Sequence, residues 1–306
     1  MTIEDEILQY LHHHPLSNRG EITLGITNPP SDRTIKRLLA DAITKGIIEV
    51  EGRGPATKYS LTPQSHITMP LDLATYFSKD IDERIIQETF NFRLIKELLP
   101  KVSLFTDEEK HILIATQQQF KNNVSGMSDL EYRKEMERLG VDLSWKSSQI
   151  EGNTYSLLET ERLLKEKQTA SGKTKEEAIM LLNHKEALDF ILDEPDYLKD
   201  ITIHRIEDIH SILTKDLDVN RNIRHRRVGI TGTNYRPLDN EFQIREALED
   251  TCNLINSKES IFEKALLALI LLSYIQAFTD GNKRTARITA NAILIANGYC
   301  PISFRT

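Results

Sequence analysis

The chain has 306 residues, of which 39% are hydrophobic and 28% are charged, with a net charge of −7. This length allows two domains with a substantial core, and the composition is ordinary for a globular protein. The acidic balance excludes an overall basic field for nucleic acid or anionic membranes. The two cysteines, Cys252 and Cys300, lack metal-type spacing, which is typical of packed thiols in a reducing compartment.

Two features predict a cytoplasmic protein without a membrane segment. The longest apolar run, Ala265 to Ile275, is far shorter than the roughly 20 residues of a membrane-spanning helix. The start of the chain is acidic, whereas a signal peptide begins with a basic region.

Residues 1–62 have the pattern of a small separate domain. Apolar spacing predicts three helices, the last at Arg33–Lys45, and residues 47–50 and 58–61 predict a hairpin. This order resembles a winged helix-turn-helix domain, whose third helix would present three outward cations to DNA: Arg33, Lys36 and Arg37. Because the unit has seven Lys/Arg against eight Asp/Glu, protein docking or dimerisation is the alternative.

The remainder of the chain predicts a mainly α domain. Pro63, Ser65 and Pro70 predict a linker at residues 63–70, followed by a domain at 71–306. Capping boxes and apolar periodicity predict its helices, at about 107–122, 129–139, 154–167, 175–192, 203–217 and 241–256.

A turn-rich segment interrupts this helical pattern. Val228–Thr231 and Asn234–Pro237 flank Gly232, which predicts a β-hairpin. Three arginines precede it, and we interpret them as residues that position the backbone: Arg224, Arg226 and Arg227.

The most informative stretch is Ile275–Arg287. The apolar run before it predicts a buried helix, Asp280-Gly281-Asn282 predicts a turn, and a second amphipathic helix starts near Arg284. Three cations lie in the first turn of that helix, where its dipole favours anions: Lys283, Arg284 and Arg287. A bound polyanion would resolve this conflict, and Asp280 would suit Mg²⁺ held jointly with phosphates. The alternative is a surface helix with an ordinary turn.

This stretch resembles the Fic family signature, H-x-F-x-[DE]-G-N-[GK]-R-x-x-R. The matching positions are Phe278, Asp280, Gly281, Asn282, Lys283, Arg284 and Arg287. The resemblance implies a Fic-type helical bundle that transfers AMP from ATP to a hydroxyl of a target protein. It also implies an apolar anchor at Phe278, Mg²⁺ at Asp280, and phosphate binding by Gly281, Asn282, Lys283, Arg284 and Arg287.

One signature position departs from the family. Gln276 stands where the family has the His that acts as general base. An amide has no useful basicity, and general-base catalysis is typically worth about 10²–10⁴-fold. We therefore expect the chain to bind nucleotide and transfer AMP poorly. Gln276 is either an engineered substitution or the mark of a degraded enzyme.

Two further stretches resemble parts of Fic proteins. Ser147, Glu151 and Gly152 match the inhibitory motif [ST]-x-x-x-E-[GN], with an inhibitory helix near 141–152. The implied role of Glu151 is to pair with Arg287 and deny it to the γ-phosphate; the alternative is a solvated helix-end Glu. The predicted hairpin resembles the family's flap, which adds the target backbone as a strand. Its candidate contact residues are Thr231, Gly232 and Tyr235.

The leading hypothesis is an autoinhibited protein adenylyltransferase that uses ATP and Mg²⁺ on an unidentified target protein. One rival is a catalytically silent nucleotide-binding regulator that binds DNA through residues 1–62. Another is removal of AMP from targets, with Glu151 positioning a water. A homo-oligomer is compatible with the sequence. Fic domains commonly have more residues after the signature helix than this sequence, which stops at Thr306. Part of the adenine pocket is therefore expected to be missing.

Overall fold

The computed structural model describes residues 2–70, 72–84 and 86–305. The chain forms two compact units. Unit 1 comprises the residues up to Tyr76 together with Lys101–Thr106, and unit 2 comprises Phe77–Pro100 together with the residues from Asp107 onwards.

Unit 1 contains the predicted three helices and two strands. They are α1 (Ile3–His13), α2 (Arg19–Leu24), α3 (Asp32–Thr44), β1 (Ile48–Glu51) and β2 (Lys58–Leu61). The strands pair antiparallel, with Ile48 opposite Leu61. Polar N-caps begin the helices, and apolar residues at helical spacing form one core: Ile7, Leu11, Ile22, Ile26, Ile35, Leu39, Ala42, Ile48 and Leu61.

The three candidate DNA-binding cations lie on the exposed face of α3. Arg33, Lys36 and Arg37 are exposed, while Ile35 and Leu39 of the same helix are buried. Arg37 makes an ion pair with Asp41 at 3.1 Å. The expected outward orientation of these side chains is therefore present.

The segment predicted as a linker contains a helix instead. Residues Pro63–Thr68 form α4, with Pro63 in the first turn, where a missing N–H costs no hydrogen bond. The Ser65 N–H donates to the hydroxyl of Thr62 at 3.3 Å. The carboxamide of Gln64 exchanges two hydrogen bonds with the Ser103 backbone of the same unit, at 2.7 and 2.8 Å. These contacts hold residues 63–68 in a helix, although their Pro and Ser content predicts a loop.

Unit 2 is mainly helical. Its long helices are α6 (Asp107–Val124), α7 (Asp129–Ile150), α8 (Leu157–Glu166), α9 (Lys175–Asp193), α10 (Ile203–Thr214), α11 (Glu241–Ser257), α12 (Ile261–Ile275) and α13 (Asn282–Ala296). Elsewhere in the chain, short helical segments lie at Leu73–Ser78 (α5), Ile81–Glu83, Leu94–Leu98, Leu99–Lys101 and Pro195–Leu198. Among the described residues, no helix is both long and apolar enough to cross a membrane.

Helix α13 is the centre of unit 2. It packs against α9, α10 and α12, and nearly all of its side chains are buried. Helix α12 also packs against α11, and α7 packs against α8 and α9. The residues that begin α13 are therefore held from several sides.

Two predicted features of unit 2 differ from the structure. The helix predicted at 129–139 continues without a break to Ile150, because Gly140 costs only about 1 kcal/mol in a helix whose later residues Val141 and Leu143 are buried. Within residues 228–237, all of which the structure describes, no strand pairing joins the two halves of the predicted hairpin, although Gly232 adopts a turn with φ of +86°. Arg236 instead forms a parallel bridge with Thr89, so this segment bonds elsewhere in unit 2.

Candidate active site

The signature loop is a tight connection between α12 and α13. Gln276 ends α12 in the left-handed conformation with φ of +53°. Gly281 has φ of +79° immediately before α13, and a Cβ there would lie 3.0 Å from Thr214. Only glycine meets both conditions without strain. The predicted helix–loop–helix is confirmed, with α13 beginning at Asn282.

Asn282 holds the loop closed. Its carboxamide accepts a hydrogen bond from the Phe278 N–H at 2.8 Å and donates one to the Phe278 carbonyl at 2.8 Å. Asn282 and Phe278 are both buried. In this conformation the Asn282 side chain therefore acts on the backbone of the loop itself.

His210 of α10 supports the same loop from behind. Its ring stacks on Phe278 with centroids 3.7 Å apart and planes at 7°. Its Nε2 lies 2.9 Å from the Asp280 carbonyl, to which an Nε2–H can donate. Burial lowers the pKa of His210, which favours the neutral ring. Sequence reasoning missed this role, because only the fold brings α10 to the loop.

Asp280 and Arg284 form a pair at the rim of the loop. The Asp280 carboxylate accepts from the Gly281 N–H at 2.6 Å and from the Arg284 guanidinium at 3.2 Å. The Asp280 side chain is 68% exposed, whereas that of Arg284 is 3% exposed. Asp280 therefore has an open side, and Arg284 is held inside the bundle.

Arg287 lies against the end of α7. Its guanidinium donates to Glu151 at 2.5 Å, to the Ser147 hydroxyl at 2.9 Å and to the Ser147 carbonyl at 3.2 Å. Burial lowers the pKa of Arg287, and the Glu151 carboxylate opposes that effect. Gly152 follows with φ of +88°. The structure thus brings Ser147, Glu151 and Arg287 together.

A cavity of about 200 Å³ opens over this loop. It is lined by Glu151, Val228–Thr231, Gln276 and Thr279–Lys283. Thr231 faces it as expected. Lys283 is exposed at its edge and makes no ion pair with any residue that the structure describes. The remaining candidate phosphate ligands are engaged within the protein: Gly281, Asn282, Arg284 and Arg287.

Gln276 is buried at the wall of this cavity. Its carboxamide nitrogen donates to the Ser273 carbonyl at 2.7 Å. An amide held in this way can orient a neighbouring hydroxyl but cannot take its proton.

Tyr235 does not line the cavity. Its ring stacks on Tyr274 at 4.8 Å, and its hydroxyl donates to the Tyr274 carbonyl at 2.9 Å. Burial raises the pKa of Tyr235. Tyr235 is therefore anchored on α12, and its contact with a bound nucleotide or target stays a prediction.

Arg224 joins the turn-rich segment to the signature. It is buried, and its N–H donates to the Ala277 carbonyl at 3.0 Å. Its guanidinium donates to three further carbonyls, those of Gln276 at 2.6 Å, Arg226 at 2.7 Å and Leu238 at 2.5 Å. Burial lowers the pKa of Arg224. This contact pattern agrees with the backbone-positioning role predicted for this arginine.

Comparison with solved structures defines the class of fold. Unit 2 has a Fic-type fold: a Fic-domain signalling protein from Bacteroides thetaiotaomicron superposes with a TM-score of 0.55, at 20% identity over 63% of this chain and 75% of that one. Fic-1 from Caenorhabditis elegans gives a TM-score of 0.54, at 23% identity over 64% of this chain and 60% of that one.

The sequence comparison agrees with the fold. Residues 200–294 match the Fic/DOC family, so the chain contains a Fic/DOC family domain. It is 33% identical to "Protein adenylyltransferase Fic" of Nematostella vectensis over 53% of this chain and 39% of that protein. It is 29% identical to "Protein adenylyltransferase fic-1" of Caenorhabditis elegans over 50% of this chain and 31% of that protein. The chain thus spans less than half the length of these relatives.

Proposed function

We propose that this chain is an autoinhibited protein adenylyltransferase that transfers AMP from ATP to a target hydroxyl. The names of the relatives and the Fic/DOC domain support the reaction. The ion pair between Glu151 and Arg287 is the observation that carries the regulation. Arg287 is a signature cation, and a carboxylate of the same chain occupies it. A γ-phosphate would have to displace Glu151 to reach this guanidinium.

Mg²⁺ fits the proposed site through Asp280. Its largely exposed carboxylate is a hard oxygen ligand beside the cavity. Among the described residues, no group of three or more His, Cys, Asp or Glu side chains could hold a metal. One carboxylate together with substrate phosphates is a usual way of holding Mg²⁺. The ion would neutralise phosphate charge, and Lys283 would add a second positive charge at the rim.

Position 276 limits the proposed reaction. The target oxygen forms a bond to the α-phosphorus, the bond to pyrophosphate breaks, and the hydroxyl proton must leave. Gln276 lies at the cavity wall but has no basicity to accept that proton. The chain should therefore hold nucleotide and transfer AMP about 10²–10⁴-fold more slowly than a form with a base.

Label transfer from α-³²P-ATP with Mg²⁺ tests this function. The chain, Gln276→His, Glu151→Gly and the double variant would be incubated with a cell lysate. We expect strong labelling only in the double variant, because both the missing base and the inhibitory carboxylate are then corrected. Glu161→Gly on α8 is a matched control, since this exposed carboxylate pairs with Lys165. If every form binds ATP and none transfers label, the transferase function is wrong.

Gln276 also favours a second candidate function. A chain that binds nucleotide without transfer would serve as a regulator, acting through the exposed cations of α3 in unit 1. Under this alternative, Arg33→Ala with Lys36→Ala weakens binding to duplex DNA in a mobility assay and reduces its salt dependence. Arg19→Ala with Lys45→Ala removes equal charge elsewhere in the unit and serves as the control. If the full chain does not bind DNA, the remaining alternative for unit 1 is protein docking or dimerisation.

The proposed location is the cytoplasm. Cys252 and Cys300 are both free thiols, and free thiols persist in a reducing compartment.

A further inference from the structure

A second segment of unit 2 runs beside the turn-rich segment. We call residues 228–237 the flap segment, and residues 81–84 and 86–90 the strap. The Arg236 N–H donates to the Glu88 carbonyl at 2.7 Å, and Thr89 pairs with Arg236 as a parallel bridge. The Arg236 guanidinium also lies 3.4 Å from the Glu88 carboxylate. The strap therefore already makes one strand-like contact with the flap segment.

Two side-chain contacts extend this pairing. The Arg84 guanidinium donates to the Gly232 carbonyl at 3.3 Å. The Asn234 carboxamide donates to Asp82 at 2.9 Å. The bonded flap positions are thus 232, 234 and 236. The contact at Arg236 is made between main chains, and those at Gly232 and Asn234 are made by side chains. The strap therefore lies along the flap segment from Gly232 to Arg236.

The far end of the strap is fixed by an aromatic stack. Phe90 stacks on Tyr274 at 4.7 Å, and Tyr274 stacks on Tyr235 at 4.8 Å. The Asn91 N–H donates to the Tyr274 hydroxyl at 2.9 Å. Tyr274 lies two residues before Gln276. The strap is therefore anchored at one end, close to the cavity.

The rest of the strap is held by contacts that are individually weak. Residues 81–83, 87 and 88 are exposed, and the pair between Arg236 and Glu88 joins side chains that are 77% and 57% exposed. Exposed ion pairs and solvated hydrogen bonds contribute little net stability. Between Ser78 and Thr89 the sequence has no Ser, Thr or Tyr. Residues 79–88 therefore offer no hydroxyl for modification, whereas Thr89, which is bridged to Arg236, does carry one.

We infer that the strap occupies the edge on which an extended target segment would add, so that a target must displace it while Phe90 stays anchored. The partner that fits this edge is the backbone of an extended peptide, because the hydrogen bond from the Arg236 N–H to the Glu88 carbonyl is of the kind by which a strand is added. The effect of the strap on AMP transfer rests on the proposed function. Whether the strap occupies the flap edge can be tested without catalysis.

A release variant would carry Asp82→Ala, Arg84→Ala and Glu88→Ala. Its matched control, Arg93→Ala with Glu97→Ala and Asp107→Ala, removes the same charges from exposed ion pairs that do not contact the flap segment. The first readout is hydrogen exchange of the Arg236 amide, which donates to the strap. The second is binding of a fluorescent synthetic peptide with the sequence of residues 81–90, followed by polarisation.

We expect exchange of the Arg236 amide to rise by about tenfold in the release variant, and the peptide to bind this variant about tenfold more tightly than the parent chain. The control should match the parent in both assays. Equal exchange and equal peptide binding in all three proteins would overturn the inference.

The consequence for transfer is tested with Gln276→His and Glu151→Gly added to each protein. Release of the strap should increase the initial rate of label transfer to lysate proteins severalfold and leave the Kd for ATP unchanged. A slower transfer after release would mean that the strap organises the flap for targets, and the inference would be wrong. If no form transfers label, the proposed function is wrong. Hydrogen exchange and peptide binding still test whether the strap occupies the flap edge.

Discussion

The carboxylate of Glu151 lies 2.5 Å from the guanidinium of Arg287, which joins the end of α7 to the second turn of α13. Glu151 is a carboxylate at the C-terminal end of α7, where the helix dipole is unfavourable to it, and Arg287 is a buried cation. Their pairing offsets both costs. A phosphate at α13 would satisfy Arg287 equally well but would leave Glu151 without its partner.

The first prediction concerns this pair. Glu151→Ala should increase ATP affinity by about tenfold, because phosphate no longer competes with a carboxylate for Arg287. Without nucleotide, the free energy of unfolding should fall by about 3 kcal/mol, since a buried cation keeps only its bonds to Ser147. Calorimetric titration and urea unfolding measure the two quantities. Glu161→Ala should change neither, and an unchanged Kd for ATP in Glu151→Ala would contradict competition at Arg287.

The sequence predicted those parts of the site that depend on local pattern. Apolar periodicity and capping boxes indicated the helices. The apolar run before Ile275, the turn Asp280-Gly281-Asn282 and the amphipathic pattern after it indicated the helix–loop–helix. The resemblance at Glu151 correctly implied its contact with Arg287. The local sequence pattern was sufficient to predict the helices and turns, because helix ends and tight turns are specified by neighbouring residues.

Contacts between distant segments could not be predicted in the same way. His210 reaches Phe278 only because α10 packs on α13. Tyr235 looked like a cavity residue but stacks on Tyr274, and the main-chain bridge of the flap segment is to Thr89 of the strap. A period-2 pattern indicates an extended segment but does not identify the segment that pairs with it.

The second prediction concerns Arg224. Arg224→Met should lower the free energy of unfolding by about 3 kcal/mol, because the carbonyls of Gln276, Arg226 and Leu238 lose their donor. Urea unfolding gives this quantity. Arg227→Met removes an 85% exposed arginine paired with Asp239 and should cost less than about 0.5 kcal/mol. Equal losses in the two variants would show that Arg224 does not hold this region together.

The third prediction is a pH dependence caused by His184. This buried histidine of α9 has Nδ1 3.2 Å from the Ser144 hydroxyl. Burial, and then the nearby charges of Arg287 and Arg284, lower the pKa of His184 to about 3. Below pH about 6.5 the unfolded chain therefore binds a proton that the folded chain does not. Stability should fall as the pH decreases from about 6.5 towards 3, by about 1.4 kcal/mol per pH unit.

His184→Gln isolates this effect. Between pH 7 and pH 5 the parent chain should lose about 2 kcal/mol more unfolding free energy than the variant, because the variant has no imidazole to protonate on unfolding. Urea unfolding at both pH values measures the difference, and titration of the carboxylates cancels between the two proteins. His204→Gln removes an imidazole that is 76% exposed and should retain the parent's pH dependence. Parallel pH profiles of the parent and His184→Gln would exclude this origin.

The fourth prediction tests the closure of the signature loop by Asn282. Asn282→Ala leaves the buried N–H and carbonyl of Phe278 without their partner, which should cost about 2–3 kcal/mol of unfolding free energy. Because the same backbone carries the candidate phosphate ligands, ATP affinity should fall as well. Asn297→Ala is the matched control at the other end of α13: it removes one hydrogen bond to the Ile293 carbonyl at 2.8 Å and does not contact the loop. Reduced stability in both variants, with ATP binding reduced only in Asn282→Ala, is the expected pattern. Normal ATP binding by Asn282→Ala would show that phosphate binding does not need this loop geometry.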